Sequence, residues 1–206
     1  RNVSHETETT EIVEVTPYRK EGAYKDGRHP ETVSFDATLV DDLKRRDFTV
    51  NAIAYDPIKD ILKDINGTLS FTDLSGNSKD FQSLKDIKDK LIRAVGNPKN
   101  RFEEDYLRML RAVRFSAQLG FAIEKETENA ILENSKSLKY VSRERVRDEL
   151  IKIFMSSVPM VGFLFLEHTG LLNDIMPELL LGKGLVQTKN HKYDVYGHLL
   201  RSLQHA

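Results

Sequence analysis

The spacing of apolar residues changes once along this chain of 206 residues, and the change limits the folds open to it. From Thr9 to about Ile53, short runs of β-branched and aromatic residues lie between turn residues such as Gly22, a pattern that predicts strands. From Lys85 onward, apolar residues recur at three- and four-residue steps, which is the period of a buried helix face. We therefore expect an α+β fold, with a mixed-sheet N-terminal half followed by an all-helical C-terminal half.

Composition and charge exclude several classes of protein. The 31 Lys and Arg residues balance 32 Asp and Glu residues, so any contact with a nucleic acid must come from local basic patches. The absence of cysteine excludes disulfides, thiolate metal sites and a cysteine nucleophile. The longest apolar run, Val158 to Leu166, is far shorter than the roughly 18 residues of a membrane span. We therefore expect a cytoplasmic protein with no membrane partner.

Three helices are predicted in the C-terminal half. Asn100 is a candidate N-cap for a first helix that ends at Gly120, since these residue types favour those two positions. Ser142 begins a second helix, which runs until Pro159. A third helix is expected over about residues 161–172.

The first of these helices carries the strongest local signal. Its apolar residues form a stripe at helical spacing: Phe102, Tyr106, Met109, Leu110, Val113 and Ala117. Its polar residues, opposite or flanking that stripe, include Glu104, Asp105, Arg108, Arg111 and Arg114. Ion pairs from Arg108 to Glu104 and Asp105 would make it an ordinary surface helix. Against this, three arginines at three-residue spacing repel one another unless an anion lies between them, and an aspartate beside an arginine can read the edge of a base.

A second candidate site is the pair Arg46 and Asp47, which stands directly before another apolar element. Arg46 could hold a phosphate, and Asp47 could accept hydrogen bonds from ribose hydroxyls. The alternative is a polar cap, in which Asp47 or Thr49 satisfies free backbone N–H groups. From these residues alone, both interpretations stay open.

Two weaker candidates involve metal ligands. Glu14, in a β-rich run, could be a carboxylate ligand for Mg²⁺, although a lone glutamate on a strand is more often exposed. Near the C-terminus, Asp194 and His198 would lie one helical turn apart and could share a metal with His191, or could be ordinary polar surface residues. The basic residues from Lys183 onward could touch a polyanion or form a solvated helix face.

Taken in order, several segments resemble the class II tRNA nucleotidyltransferases, which are the CCA-adding enzymes and their bacterial poly(A) polymerase relatives. The match covers about Glu11 to Met155, and the ordered set is far more specific than any one segment. The segments that carry it are residues 14–19 (EVTPYR), 26–30 (DGRHP), 45–52 (RRDFTVNA), 92–98 (IRAVGNP), 101–115 and 142–145 (SRER), with Glu149.

The resemblance implies a role for each charged residue of the first helix. Glu104, Asp105 and Arg108 match the family's Glu-Asp-x-x-Arg element, which acts as an amino-acid template for incoming CTP and ATP. Asp105 and Arg108 would pair with the base edge. Arg111 and Arg114 would help to hold the nucleotide.

The resemblance also implies roles in the N-terminal half. Arg46 and Asp47 match the element that handles phosphates and ribose, and Glu14 matches the third acidic position of the polymerase site, a catalytic Mg²⁺ ligand. In the family, two Mg²⁺ ions activate the tRNA 3′-hydroxyl for attack on the nucleotide α-phosphate. Residues 142–149 match a neck element that supports the template helix.

The same resemblance predicts a division into three parts. Residues 1–95 would form a partial nucleotidyltransferase head, 96–157 a helical neck with the template helix, and 158–206 the start of a helical body or of an HD-like region. Residues 191–198 resemble the entry to an HD-type phosphohydrolase, with a tail that grips the tRNA elbow as the alternative. The glycine-rich loop and Asp-x-Asp pair of the family do not precede Glu14, so we expect a part of a larger enzyme that does not catalyse on its own.

The function implied is Mg²⁺-dependent addition of CTP- and ATP-derived nucleotides to the tRNA 3′ end. Poly(A) polymerase, or an enzyme that adds only CC or only A, is the alternative within this class. A non-catalytic module that binds RNA or nucleotides, or an HD-type phosphohydrolase, are the alternatives from other classes.

Overall fold

A computed structural model describes residues 13–24, 30–70, 81–186 and 192–205. The strands are short and lie mostly in the N-terminal half: β1 Lys20–Glu21, β2 Val33–Ser34, β3 Ile53–Asp56, β4 Ile61–Asp64, β5 Thr68–Ser70, β6 Leu91–Ile92 and β7 Ala122–Ile123. β1 and β2 pair antiparallel, β3, β4 and β5 form an antiparallel sheet in that order, and β6 and β7 pair parallel. Because β7 follows the first long helix, this last pair ties the two halves together.

Helices dominate from residue 82 onward, as the apolar spacing predicts. They are α1 Leu39–Lys44, α2 Gln82–Lys88, α3 Pro98–Glu104, α4 Leu107–Leu119, α5 Lys125–Asn134, α6 Arg143–Phe154, α7 Pro159–His168, α8 Leu172–Ile175, α9 Pro177–Leu180 and α10 Val195–Gln204. Two 3₁₀ segments complete the described elements, Thr49–Asn51 and Ser135–Tyr140. The α+β class is therefore confirmed. No helix in the described ranges is long and apolar enough to cross a membrane.

The strand prediction for the first 53 residues is wrong in part. Leu39, placed in a strand by its spacing, begins helix α1 instead, because Thr38 and Asp41 form a reciprocal cap: Thr38 Oγ1 accepts from Asp41 N at 3.2 Å, and Asp41 Oδ2 accepts from Thr38 N at 3.0 Å. Val50 lies in a 3₁₀ turn, and Glu14 lies in a stretch without regular structure. The predicted turn at Asp26–Gly27 lies outside the described residues.

The predicted helix from Asn100 to Leu119 is two helices. Asn97, not Asn100, caps α3, and Pro98 occupies its first turn. The chain leaves the helical conformation at Asp105, whose φ of −154° and ψ of 105° are those of extended backbone, and α4 then begins at Leu107. Gly120, at a positive φ of 66°, ends α4 as expected. The interruption turns Asp105 away from the helical face on which the spacing had placed it.

Helix α4 lies at the centre of the main core. The predicted apolar stripe is confirmed, since Met109, Leu110 and Val113 are fully buried and Tyr106 is partly buried. The same cluster extends from Phe48 of the N-terminal half to α10, so the two halves share one core.

Helices α4 and α6 pack closely against α7 at Gly162. A Cβ atom on Gly162 would lie 2.7 Å from Ile153 Cγ2 and 3.2 Å from Ala117 Cβ. A larger residue at this position would therefore require the three helices to move apart. The second predicted helix begins after Ser142 as expected but ends at Phe154, and the third begins with Pro159.

Candidate functional site

A cavity of about 420 Å³ opens where the N-terminal half meets the helices. Its walls carry five arginines and two aspartates, with Asn51 and Leu107: the charged residues are Arg45, Arg46, Asp47, Asp105, Arg108, Arg111 and Arg145. The fold thus brings together residues from three of the motif segments, 45–52, 101–115 and 142–145. Because positive charges outnumber negative ones in its lining, the cavity favours an anionic ligand.

The wall from the N-terminal half is built on the end of α1. Asp42 accepts hydrogen bonds from Arg45 Nε at 3.0 Å and from Arg46 Nη2 at 3.2 Å. Burial opposes ionisation of Asp42, but these hydrogen bonds prevail and hold its pKa below the usual value. Arg46 also donates from Nη1 to the carbonyl oxygen of Asn51 at 3.0 Å. The Arg46 guanidinium is therefore held through all three of its nitrogen atoms, while the side chain remains 42% exposed.

Asp47 makes the local backbone contact considered for it and, in addition, an ion pair with Arg111. Its Oδ1 accepts from the backbone N–H of Phe48 at 2.9 Å, which is a local turn contact. Its Oδ2 accepts from Arg111 Nε at 2.7 Å, and Arg111 Nη2 lies 2.6 Å from the same oxygen. This side-by-side ion pair joins α4 to the N-terminal half across the cavity.

The wall from the helices is centred on the break at Asp105. Its Oδ1 accepts from Leu107 N at 3.1 Å, which fixes the start of α4. The expected ion pair between Asp105 and Arg108 is not the one formed. Instead, Arg145 in the first turn of α6 donates from Nη2 to Asp105 Oδ2 at 2.7 Å and from Nη1 to Oδ1 at 3.2 Å. The physical reason is the extended backbone at Asp105, which directs its carboxylate toward α6.

Arg108 forms the expected ion pair with Glu104. The Glu104 carboxylate accepts from Arg108 and also from Arg101, the latter at 2.7 Å. The ring of Tyr24 lies 6.0 Å from the Arg108 guanidinium carbon, and the Tyr24 hydroxyl donates to Glu21. Burial, together with the neighbouring Glu21 carboxylate, raises the pKa of Tyr24 to about 12. The Arg108 guanidinium therefore keeps one orientation at the edge of the cavity.

Arg111 and Arg114, three residues apart on α4, have different surroundings. Arg111 lines the cavity and lies 5.5 Å from the Phe115 ring. Arg114 is not among the residues that line the cavity. It donates from Nε to Glu149 Oε2 at 2.6 Å and stacks on Phe115 at 4.0 Å. Its observed contacts connect α4 to α6.

The predicted metal ligands are dispersed. Glu14 is exposed. Asp194 caps α10, accepting from Gly197 N at 2.7 Å and from Gly184 N at 2.8 Å, and these hydrogen bonds lower its pKa. His198 lies on α10, and His191 lies outside the described residues. Over the described ranges, no group of three or more His, Asp and Glu side chains could hold a metal ion.

Three polar residues that line the cavity, Arg45, Asn51 and Arg145, lie in the motif segments 45–52 and 142–145, but no site role was predicted for them. Arg145 could have been found from its spacing, because it lies four residues before Glu149 on the same face of α6. Both side chains contact the α3–α4 segment, Arg145 through Asp105 and Glu149 through Arg114.

Comparison with known proteins identifies the family. Residues 1–93 match the family model described as the poly A polymerase head domain, and residues 120–181 match the model of a probable RNA and SrmB-binding site of polymerase A. A CCA-adding enzyme from Lactobacillus johnsonii is 43% identical over 166 residues, which is 80% of this chain. The chain belongs to the family of tRNA nucleotidyltransferases and bacterial poly(A) polymerases. It spans 37% of the length of that curated relative.

Two solved CCA-adding enzymes have a similar fold. The Bacillus stearothermophilus enzyme in complex with CTP is 36% identical with a TM-score of 0.57, over 76% of this chain and 33% of that one. The Thermotoga maritima enzyme complexed with tRNA is 27% identical with a TM-score of 0.54, over 69% of this chain and 32% of that one. The resemblance seen in the motifs is therefore confirmed.

Proposed function

We propose that this chain carries the nucleotide-selecting site of an enzyme that adds CTP- and ATP-derived nucleotides to the 3′ end of tRNA in the cytoplasm. The observation that carries the proposal is the 420 Å³ cavity, in which Arg46 and Asp47 face Asp105, Arg108 and Arg111. Relatives of this chain are named CCA-adding enzymes, and solved members are complexed with CTP or with tRNA. The division of the chain at residues 95 and 157 is part of the same proposal.

The cavity charges suit a nucleoside triphosphate. Arg46 is 42% exposed and each of its Nη atoms carries a second N–H, so it would contact a phosphate without losing its contact to Asp42. Asp47, opposite Arg111, would accept from a ribose hydroxyl with a lone pair that Arg111 does not use. Arg111 would then lie between the ribose and the phosphates.

Asp105 and Arg108 would distinguish the bases by hydrogen-bond polarity. Cytosine and adenine each carry an exocyclic amino group, a donor, beside a ring nitrogen that accepts, whereas guanine and uracil carry a carbonyl beside a ring N–H. A carboxylate that accepts and a guanidinium that donates therefore fit the first pair and repel the second. Asp105 can hold Arg145 and accept from an amino group together, because each carboxylate oxygen has two lone pairs.

We also propose a requirement for a divalent metal, with Mg²⁺ as the ion and Glu14 as one ligand, on the basis of the motif that contains Glu14. The described residues alone do not fit such a site, because Glu14 is exposed and no cluster of three metal-binding side chains lies within the described ranges. The role proposed for the cavity is therefore nucleotide binding and choice, and the chemical step at the tRNA 3′-hydroxyl requires further metal ligands.

The direct test uses a tRNA transcript that lacks its CCA end. The full-length gene product is incubated with it, Mg²⁺ and labelled CTP or ATP, and products are separated at single-nucleotide resolution. Addition of C, C and then A is the expected result, and a transcript that already ends in CCA is the control that should gain nothing. Repeated addition of A would move the function to poly(A) polymerase, which the head-domain match also permits. If the folded protein adds no nucleotide at all, both the CCA-adding function and the poly(A) polymerase function are contradicted.

A further inference from the structure

Arg101, on α3, lies beside the cavity without lining it. Its guanidinium donates to four oxygen atoms: the carbonyls of Lys44 at 2.9 Å, Val95 at 3.2 Å and Arg45 at 3.4 Å, and the Glu104 carboxylate at 2.7 Å. All three of its nitrogen atoms are used in these contacts. Such a complete set of donors is available only from a planar guanidinium.

Two of these contacts fix the end of α1. Lys44 is the last residue of α1 and Arg45 is its C-cap, so their carbonyl oxygens lie where a helix leaves such groups without internal partners. A cation there is also favoured by the helix dipole. The next two residues along the chain are Arg46 and Asp47. Arg101 therefore fixes the position of the backbone directly before Arg46 and Asp47.

The contact with Glu104 fixes Arg108. Arg101 and Arg108 donate to the same oxygen, Oε2 of Glu104. Arg108 also donates from Nη1 to the carbonyl of Arg101 at 3.0 Å, and from Nη2 to that of Arg45 at 3.4 Å. Arg101 thus contacts both walls at once, and the distance between Arg108 and the end of α1 depends on it.

This arrangement is not the one that stability alone would favour. The Arg101 side chain is 15% exposed, and burial lowers its pKa, with the nearby charge of Arg108 acting in the same direction. An apolar side chain of similar volume would avoid that desolvation. An apolar side chain could not donate hydrogen bonds, however, so it could not hold the four oxygen atoms that the Arg101 guanidinium contacts.

We infer that Arg101 is a positioning residue for nucleotide choice: without touching the nucleotide, it places the Arg108 guanidinium relative to Arg46 and Asp47. This inference rests on the proposed function of the cavity. It predicts that Arg101→Lys keeps the charge but loses the geometry, because an ammonium group has one nitrogen where the guanidinium has three.

The test compares kcat/KM for CTP with kcat/KM for UTP in the full-length gene product. We expect Arg101→Lys to lower this ratio about tenfold, the change produced by one misplaced hydrogen-bonding group, with an unfolding midpoint close to that of the wild type. Arg147→Lys is the matched control, because Arg147 is 67% exposed and pairs with the adjacent Asp148. In a second variant, Arg101→Ala, added methylguanidinium should restore part of the lost preference for CTP over UTP.

The outcomes separate the two hypotheses. A wild-type ratio in Arg101→Lys would overturn the positioning role and leave the proposed function standing. An unfolded Arg101→Lys, together with an Arg101→Ala variant that methylguanidinium does not rescue, would show that Arg101 is structural only. A wild-type protein that does not favour CTP over UTP would contradict the proposed function, and the role of Arg101 would fall with it.

Discussion

Two charged segments stand out in the sequence, and the structure uses them differently. In the cavity segment, residues 101–115, ion pairs reach far along the chain: Arg111 pairs with Asp47, 64 residues away, and Asp105 pairs with Arg145, 40 residues away. In the C-terminal segment, residues 191–198, Asp194 bonds to backbone N–H groups only 3 and 10 residues away. Long-range pairs surround a cavity, whereas the local contacts complete a helix end.

The same contrast appears within helix α4. Arg111 faces the cavity with 33% of its side chain exposed, while Arg114, one helical turn further on, is 11% exposed and pairs with a Glu149 side chain that is 4% exposed. Burial of a charged pair costs desolvation energy, but loss of one partner destabilises the fold because it leaves the other charge buried and uncompensated. Arg111 and Arg114 therefore allow binding and stability to be tested separately.

The largest effect is expected from Glu149→Ala. It leaves the Arg114 guanidinium buried without its partner, so the free energy of unfolding should fall by about 3–5 kcal/mol, measured by urea denaturation. Asp148→Ala is the matched control, because Asp148 is 56% exposed and should change stability by no more than about 0.5 kcal/mol. If Glu149→Ala were as mild as the control, Arg114 would be available for the nucleotide-binding role that the sequence motif implies.

A smaller effect, measured as nucleotide selectivity, is expected from Asp105→Asn. An amide offers a donor as well as an acceptor, so it no longer rejects the carbonyl groups of uracil and guanine. The preference for CTP over UTP should fall by about 1–3 kcal/mol, which is roughly 5- to 150-fold in kcat/KM.

The control for Asp105→Asn is the same substitution in the other segment, Asp194→Asn, which should leave nucleotide choice unchanged. An unaltered CTP preference in Asp105→Asn would mean that the base is read elsewhere, and the contrast between the two segments would lose its functional meaning.

Sequence patterns succeeded where a contact depends on local spacing. The stripe on α4 and the pair of Glu104 with Arg108 follow from three- and four-residue steps, and residue type predicts the positions of Ser142 before α6 and Gly120 after α4. The motif resemblance also selected five residues that the fold brings to one cavity: Arg46, Asp47, Asp105, Arg108 and Arg111.

Sequence patterns did not predict the contacts that depend on backbone conformation or on packing between residues far apart in the sequence. Nothing in the apolar spacing reveals that the chain becomes extended at Asp105, since the stripe continues from Phe102 to Tyr106 in phase. The extended residue sends the Asp105 carboxylate to Arg145 of α6, a partner set by tertiary structure. Arg101 was passed over for the same reason, because its acceptors are mostly backbone carbonyls, which carry no sequence signal.

The smallest expected effect concerns Asp194 and its dependence on pH. Its folded pKa is lower than usual, so the ionised cap stabilises the protein above the unfolded-state pKa near 4, and this contribution is lost as pH falls through the folded value. Asp194→Asn can still accept from Gly197 N but does not titrate. The unfolding midpoint of the wild type should therefore exceed that of the variant slightly at pH 7, and the difference should shrink below about pH 4 and vanish once the pH is below the folded pKa. A difference independent of pH would show that the Asp194 charge plays no part in capping α10.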